Sequence, residues 1–315
     1  MRTSAATIGR RTLLKGIGAA TAGALIACAP AQRATPSPTA TARSGIGQPS
    51  ASPTAAVRSD VVRLTSVVIP SDSGLYAHIL PEFERRSGYK VEVTSATDVH
   101  GPARAGKADI VLSHYQHDGV ASFMQEGFGE WPRMAFSSPG ALIGPPSDPA
   151  KIRGLSDAVE AFTRIAASGA QFIVNDGEGH RHIGEVILRA AGLSTSASWY
   201  VDKGARAQMA MQAAAQAGGY TMWGLVPFLR TQKQAPLPLE PLVMHDQILK
   251  SVMITIVVSD KKVAGVNSKG AAALQRYLID PETQARIRTF RMAGVSEQVW
   301  WPAAQDNDKA AFAGR

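Results

Sequence analysis

One cysteine, Cys28, in 315 residues excludes any internal disulfide. Aromatic residues make up only 6% of the chain. No G-x-S-x-G elbow, P-loop, H-E-x-x-H pair or G-x-G-x-x-G after a strand occurs, so the common nucleophile, phosphate-loop and zinc-hydrolase frameworks are missing. Acidic residues are absent from 1–59, where seven of the 33 basic residues lie. The remainder then holds 26 basic against 25 acidic side chains, so the net charge of +8 belongs to the leader and linker. A body that close to neutral has no long-range pull on a polyphosphate, which argues against a nucleic-acid partner.

What is present begins with an export pattern. "GRRTLLKGIGAATAGALIACAP" has a basic start, a weakly apolar middle and small residues at a cut. Arg10 to Lys15 resembles the twin-arginine signal. Leu25-Ile26-Ala27-Cys28 resembles a lipobox, which makes Cys28 the lipidated first residue of the mature protein; an ordinary cleaved leader is the plainer alternative. The run before Cys28 is short and rich in Gly and Ala, unlike a spanning helix. Residues 28–60 then read as a lipidated Cys and a Pro/Ser/Thr/Ala tether that cannot bury enough apolar surface to offset its ordering entropy. The expected location is the outer face of the cytoplasmic membrane or the periplasm, anchored by lipid.

From Val61 onward strand and helix patterns alternate with short connections, the signature of an α/β fold of parallel sheets covered by helices. "VVRLTSVVI" reads as the first strand, with Asp72 or Ser73 capping a helix that Pro81 divides. Ser156 is a candidate cap for the helix ending at Gly169. "IGEVILRAAG" turns Ile183, Val186, Ile187 and Ala190 inward. This pattern suits either one doubly wound sheet or two lobes. In the second case the turns at Ser71–Ser73 and Gly177–Gly179 would face each other across a cleft.

The phrases "DSGLYAHILPEFERRSGYKVEV", "GKADIVLSH" and "GLSDAVEAFTRIAASGAQFIVNDGEGHRH" resemble, in order and spacing, the tungstate-binding periplasmic proteins of ABC importers. The resemblance runs from about Leu64 to about Ile279. It implies a two-lobed type II periplasmic-binding fold, each lobe a mostly parallel sheet flanked by helices: 61–141 and 251–315 in lobe 1, 142–250 in lobe 2. It further implies a monomer without catalysis or cofactor that delivers a small anion, an oxyanion or an organic one, to an ABC permease and its ATPase. The alternative is a sensor, partner-binding or metal-binding lipoprotein that reuses the fold.

The family holds its oxyanion with hydroxyls, backbone N–H groups and an arginine. This chain departs there: Val67-Val68-Ile69 replaces a Thr/Ser run, Asn175 stands where the arginine should be, and Met222-Trp223-Gly224 replaces a Thr-Asp-Arg group. The ligand-binding candidates are therefore Ile69, Ser71, Ser73, His114, Asn175, Arg181, His182 and Trp223. All but Ile69 have a plain structural reading too: capping for Ser71 and Ser73, internal hydrogen bonding for His114 and Asn175, a solvated loop for Arg181 and His182, and core filling for Trp223. His180 is set aside. Lys203 and Arg206 are surface charges that an anion could use, and Trp300-Trp301 reads as packing. A metal site from His114, His117, His180 and His182 would need Asp118 as a further ligand. An Asp176/Glu178 acid–base pair lacks any nucleophile beside it.

Overall fold

A computed structural model describes residues 60–117, 119–295 and 297–303. The export signal, Cys28, the tether up to residue 59 and Asp118 lie outside the described residues, as does the Glu178 side chain. The elements run β1 (Val61–Ser66), α1 (Ile69–Asp72), α2 (Leu75–Ser87), β2 (Lys90–Ser95), α3 (His100–Arg104), β3 (Ile110–His114), α4 (Gly119–Gln125) and β4 (Arg133–Gly144). They continue with α5 (Ala158–Ser168), β5 (Phe172–Ile173), α6 (Glu178–Ala190), β6 (Tyr200–Val201), α7 (Gln208–Ala217), β7 (Thr221–Gly224), α8 (Leu225–Gln234) and β8 (Glu240–Val243). The chain closes with β9 (Lys250–Val257), α9 (Ser268–Ile279), α10 (Pro281–Thr289) and β10 (Trp301–Pro302).

The main sheet is ordered β10-β4-β9-β3-β1-β2, with β7 and β8 also on β4. Around β1 it is parallel, as β-α-β crossovers require. From β3 outward the pairings β3–β9, β9–β4 and β4–β7 are antiparallel, so the sheet is mixed. The reason is β9, which runs against β3 on one side and β4 on the other. The first half of β4 pairs with β9 and the second with β7 and β8, the changeover falling at Pro139–Gly140. A Cβ on Gly140 would stand 2.9 Å from the Leu249 carbonyl oxygen, so glycine permits a close backbone approach there. The parallel pair β5–β6 forms a second, small sheet.

Two apolar cores flank this changeover. The first gathers Val62, Leu64, Ile110, Leu112, Phe136 and Trp300, and draws in Met211, Leu225 and Phe228. The second centres on Phe162, Phe172, Ile187, Trp199 and Tyr220, with the Phe162 and Phe172 rings 4.7 Å apart. Asp109, fully buried, locks β1 to β3: its carboxylate accepts from the Arg63 backbone N–H at 2.7 Å, from its Nη2 at 2.5 Å and from the Asn267 N–H at 2.8 Å.

Local expectations changed in instructive ways. Pro81 does not divide α2, because burial of Leu75, Tyr76, Ile79, Leu80 and Phe83 along one face holds the helix together. Those side chains contribute about 1.5–3 kcal/mol each against roughly 3 kcal/mol for an interior proline. The residue before α2 is Gly74 at φ 81°, a left-handed turn, rather than Asp72 or Ser73. Asp157, one residue beyond Ser156, caps α5 by accepting from the Val159 and Glu160 N–H groups. In α6, Leu188 is buried with Ile183 and Ile187, while Ala190 is exposed. Helix α6 starts at Glu178, which puts His180-Arg181-His182 inside its first turns rather than in the loop before it.

Asp109→Ala would leave Arg63 and the Asn267 N–H without their buried acceptor. With Arg63 part-exposed, the loss should be about 3 kcal/mol, the low end for a broken buried pair. Urea denaturation should show a lower midpoint at unchanged slope.

Candidate functional site

A cavity of about 410 Å³ opens beside the β4 changeover and takes lining residues from both cores. One wall is the end of β1 and the start of α1, with Val67, Val68 and Ile69. Beside it stands the end of β3 and the following turn, with His114, Gln116 and His117. The floor is the crossing strands: Ser138, Pro139 and Gly140 of β4 with Ser251 of β9, where Ser138 and Ser251 are direct partners. Opposite lie Gly177, Gly179, His180 and Ile183 at the start of α6, with Met222 and Trp223 of β7 and Arg206 nearby. Gln116 reaches towards α6, its Oε1 3.8 Å from where a Gly179 Cβ would stand.

The helix α6 has no side-chain N-cap, and its first turn meets the cavity through two glycines. Backbone N–H groups at such an end point outward, and the aligned peptide dipoles amount to roughly half a positive charge. Arg206 adds a guanidinium, though its side chain is 70% exposed and its Nε already donates to Asp176 at 3.2 Å. The His114 and His180 imidazoles add none. Burial pushes His114 down to about 4, with His180 and His117 nearby adding to the shift. Burial alone pushes His180 down to about 4. Both are neutral at pH 7. The His114 Nδ1 sits 2.7 Å from the Ser251 Oγ. The His117 Nδ1 accepts the Gly119 N–H at 3.2 Å, which leaves its proton on Nε2 in the neutral form.

Of the residues nominated from sequence, Ile69, His114 and Trp223 line the cavity. The others are engaged elsewhere. Ser71 shares a hydrogen bond with Ser95 at 2.9 Å on the surface. Ser73 is buried, donates to the Pro70 carbonyl and accepts the Trp300 Nε1–H at 2.9 Å. Asn175 is buried too; its amide donates to the Met222 carbonyl and accepts the Ala207 N–H. Arg181 gives Nε to Asp176 at 2.6 Å and Nη2 to Asp202 at 2.7 Å, so its guanidinium is spent holding acidic loops beside α6. Those contacts, Arg181 first and Arg206 after it, hold the Asp176 carboxyl below the usual range. Asp176 is thereby an ion-pair partner rather than a base. His182 is exposed and lies off the cavity.

Sequence reasoning passed over His180, which turns inward one residue before Arg181, and Val68 and Ser138. A usable signal was there: "AFSSPGALIG" places small polar residues inside an apolar strand, marking the stretch where β4 becomes floor rather than core. Among the described residues no group of three or more His, Cys, Asp or Glu side chains is placed to hold a metal ion.

Residues 65–290 match the sequence profile of a family described as bacterial extracellular solute-binding proteins. The chain is 30% identical over 239 residues to a Haloferax volcanii protein named as a candidate ABC transporter anion-binding protein, covering 74% of this chain and 69% of that one. It is 25% identical over 232 residues to the tungstate-binding protein TupA of Peptoclostridium acidaminophilum, covering 72% and 80% respectively. In structure it is similar to the tungstate-binding protein TupA of Desulfovibrio alaskensis, with a TM-score of 0.68 and 24% identity over 78% of this chain and 99% of that one. The fold is therefore that of type II periplasmic binding proteins.

Three histidines, the buried His100 and the partly buried His114 and His180, are pushed from 6.5 down to about 4 in the folded protein. Between those values the unfolded chain binds protons that the folded one refuses, so stability falls as pH drops through that window and is level above it. Thermal midpoints should decline from about pH 6.5 to about pH 4. His180→Gln should flatten that decline.

Proposed function

Because the chain belongs to the bacterial extracellular solute-binding protein family, we propose that it captures a small anion in the cavity at the β4 changeover and presents it to an ABC permease. The observation that carries this reading is the start of α6 set into the wall of a cavity shared by both cores. An uncapped helix start stabilises negative charge, and two glycines let a ligand approach the backbone there. The names of the Haloferax and Peptoclostridium relatives point to the same cargo class. Solute capture of this kind needs no reaction. A hydroxyl–imidazole pair does line the cavity, the Ser251 Oγ 2.7 Å from the His114 Nδ1, and in this reading it ties the β9 floor to the end of β3.

In this reading 61–141 and 251–315 form one lobe and 142–250 the other, with β4 and β9 as the crossings about which they close. Trp223 and Ile69 meet the ligand from opposite walls, and His114 offers a ring nitrogen. The leader is cleaved at Cys28, whose lipid holds the protein at the membrane while the tether lets the body reach its permease. Among the described residues no helix is long and apolar enough to cross a membrane.

A thermal-shift series on the purified protein with tungstate, molybdate, phosphate, sulfate and small carboxylates tests the capture. At a hundredfold excess over Kd, a binding anion should raise the midpoint by about 5–10 °C. Gly179→Asp should abolish the rise: a Cβ there meets nothing closer than 3.8 Å, so the variant folds but sets a like charge in the site. No stabilisation by any anion would refute the proposal.

The anchor is tested separately by fractionation. Cys28→Ala should move the protein from the membrane to the soluble extracytoplasmic fraction without altering anion binding.

A further inference from the structure

We infer that the ligand is a singly charged organic anion with an apolar body, a carboxylate carrying an aromatic or aliphatic group, rather than a bare doubly charged oxyanion. The inference rests on the anion-capture reading above and narrows it to a chemical class.

The cavity is sharply two-ended in chemistry. Its positive character comes from the start of α6 and from Arg206, which is shared with Asp176. Roughly half a charge from the helix end and a mostly solvated, already paired guanidinium suffice for one negative charge and fall short of two. His114 and His180 do not make up the difference, since burial keeps both neutral at pH 7. Arg181, the cation nearest in sequence to the helix start, is committed to Asp176 and Asp202.

Much of the remaining lining is apolar, with Val67, Ile69, Ile183, Met222, Trp223 and Leu249, while Thr97, Gln116, Ser138 and Ser251 add hydroxyl or amide groups. Of the apolar six only Trp223 owns a side-chain donor, a single N–H. A tetrahedral oxyanion presents acceptors in every direction and would turn some of them onto these side chains, where a buried charge-bearing oxygen finds no partner. An apolar body reverses that balance: it sheds water against Trp223, Ile183 and Met222 while its carboxylate turns to the helix start.

Size agrees. At roughly 30 Å³ per water, the cavity has room for the equivalent of about thirteen waters, far beyond the five heavy atoms of a tetrahedral oxyanion. A carboxylate with a ring or a chain of several carbons fills such a space.

Isothermal titration of the purified protein with phenylacetate, hexanoate, acetate, sulfate, tungstate and molybdate tests this. Phenylacetate or hexanoate should bind at least about tenfold more tightly than acetate, and more tightly than any of the oxyanions. Trp223→Ala should weaken the larger carboxylates by about tenfold, and Trp223→Phe should retain most of the affinity. The melting curve of each variant without ligand shows whether it folds. Tighter binding of tungstate, molybdate or sulfate would overturn the inference and leave anion capture standing, as would equal affinity for acetate and its larger analogues. Binding of none of the six would overturn both.

Discussion

The changeover of β4 from β9 to β7 and β8 at Pro139–Gly140 is the constraint on which the rest depends. Proline has no N–H to give a ladder, and glycine lets the Leu249 carbonyl come closer than any side chain would permit. The strand can therefore leave one set of partners and take up another without a loop. It carries both cores on a single stretch of backbone, and the cavity is the space left where neither core fills the gap. Ser138 and Ser251, paired across the two crossing strands, are small because they are its floor.

Electrostatics around α6 are arranged in two tiers. At the cavity the helix start meets glycines and the neutral imidazoles of His114 and His180. Behind it, Arg181 and Arg206 are knitted to Asp176 and Asp202. The outer tier positions the loop preceding α6 and keeps its own charges mutually matched. An unmatched arginine against a helix start would be unfavourable; the aspartates remove that penalty and at the same time take Arg181 out of reach of a ligand.

The fold was largely legible in the sequence because period and punctuation agreed. The β-branched run at Val61 became β1, Gly169 closed α5 in the left-handed conformation, and the stretch holding Phe162 and Ile165 became an amphipathic helix. The site was less legible. Ser73, Asn175 and Arg181 have the right chemistry for an anion, yet each finds a partner inside the protein: the Trp300 indole, the Met222 carbonyl, two carboxylates. Those partners are up to 227 positions away, and no local pattern announces them. His180 was passed over for the complementary reason. Whether it or its neighbour turns inward depends on where α6 begins, and boundaries are the least determined feature of a sequence pattern.

The hydrogen bond from Trp300 to Ser73 also fixes an order of events. Trp300 is fully buried in the core that Val62 and Leu64 help to build, so the earliest strand of the body shares an interior with almost the last residues described. A ribosome must therefore release nearly the whole chain before that interior can close, and the nascent body waits with its first strand unshielded. Pairings of such long span slow folding and lengthen exposure of sticky segments. Closure of the whole body in one late step, rather than piecewise folding at the tunnel exit, is what this topology dictates.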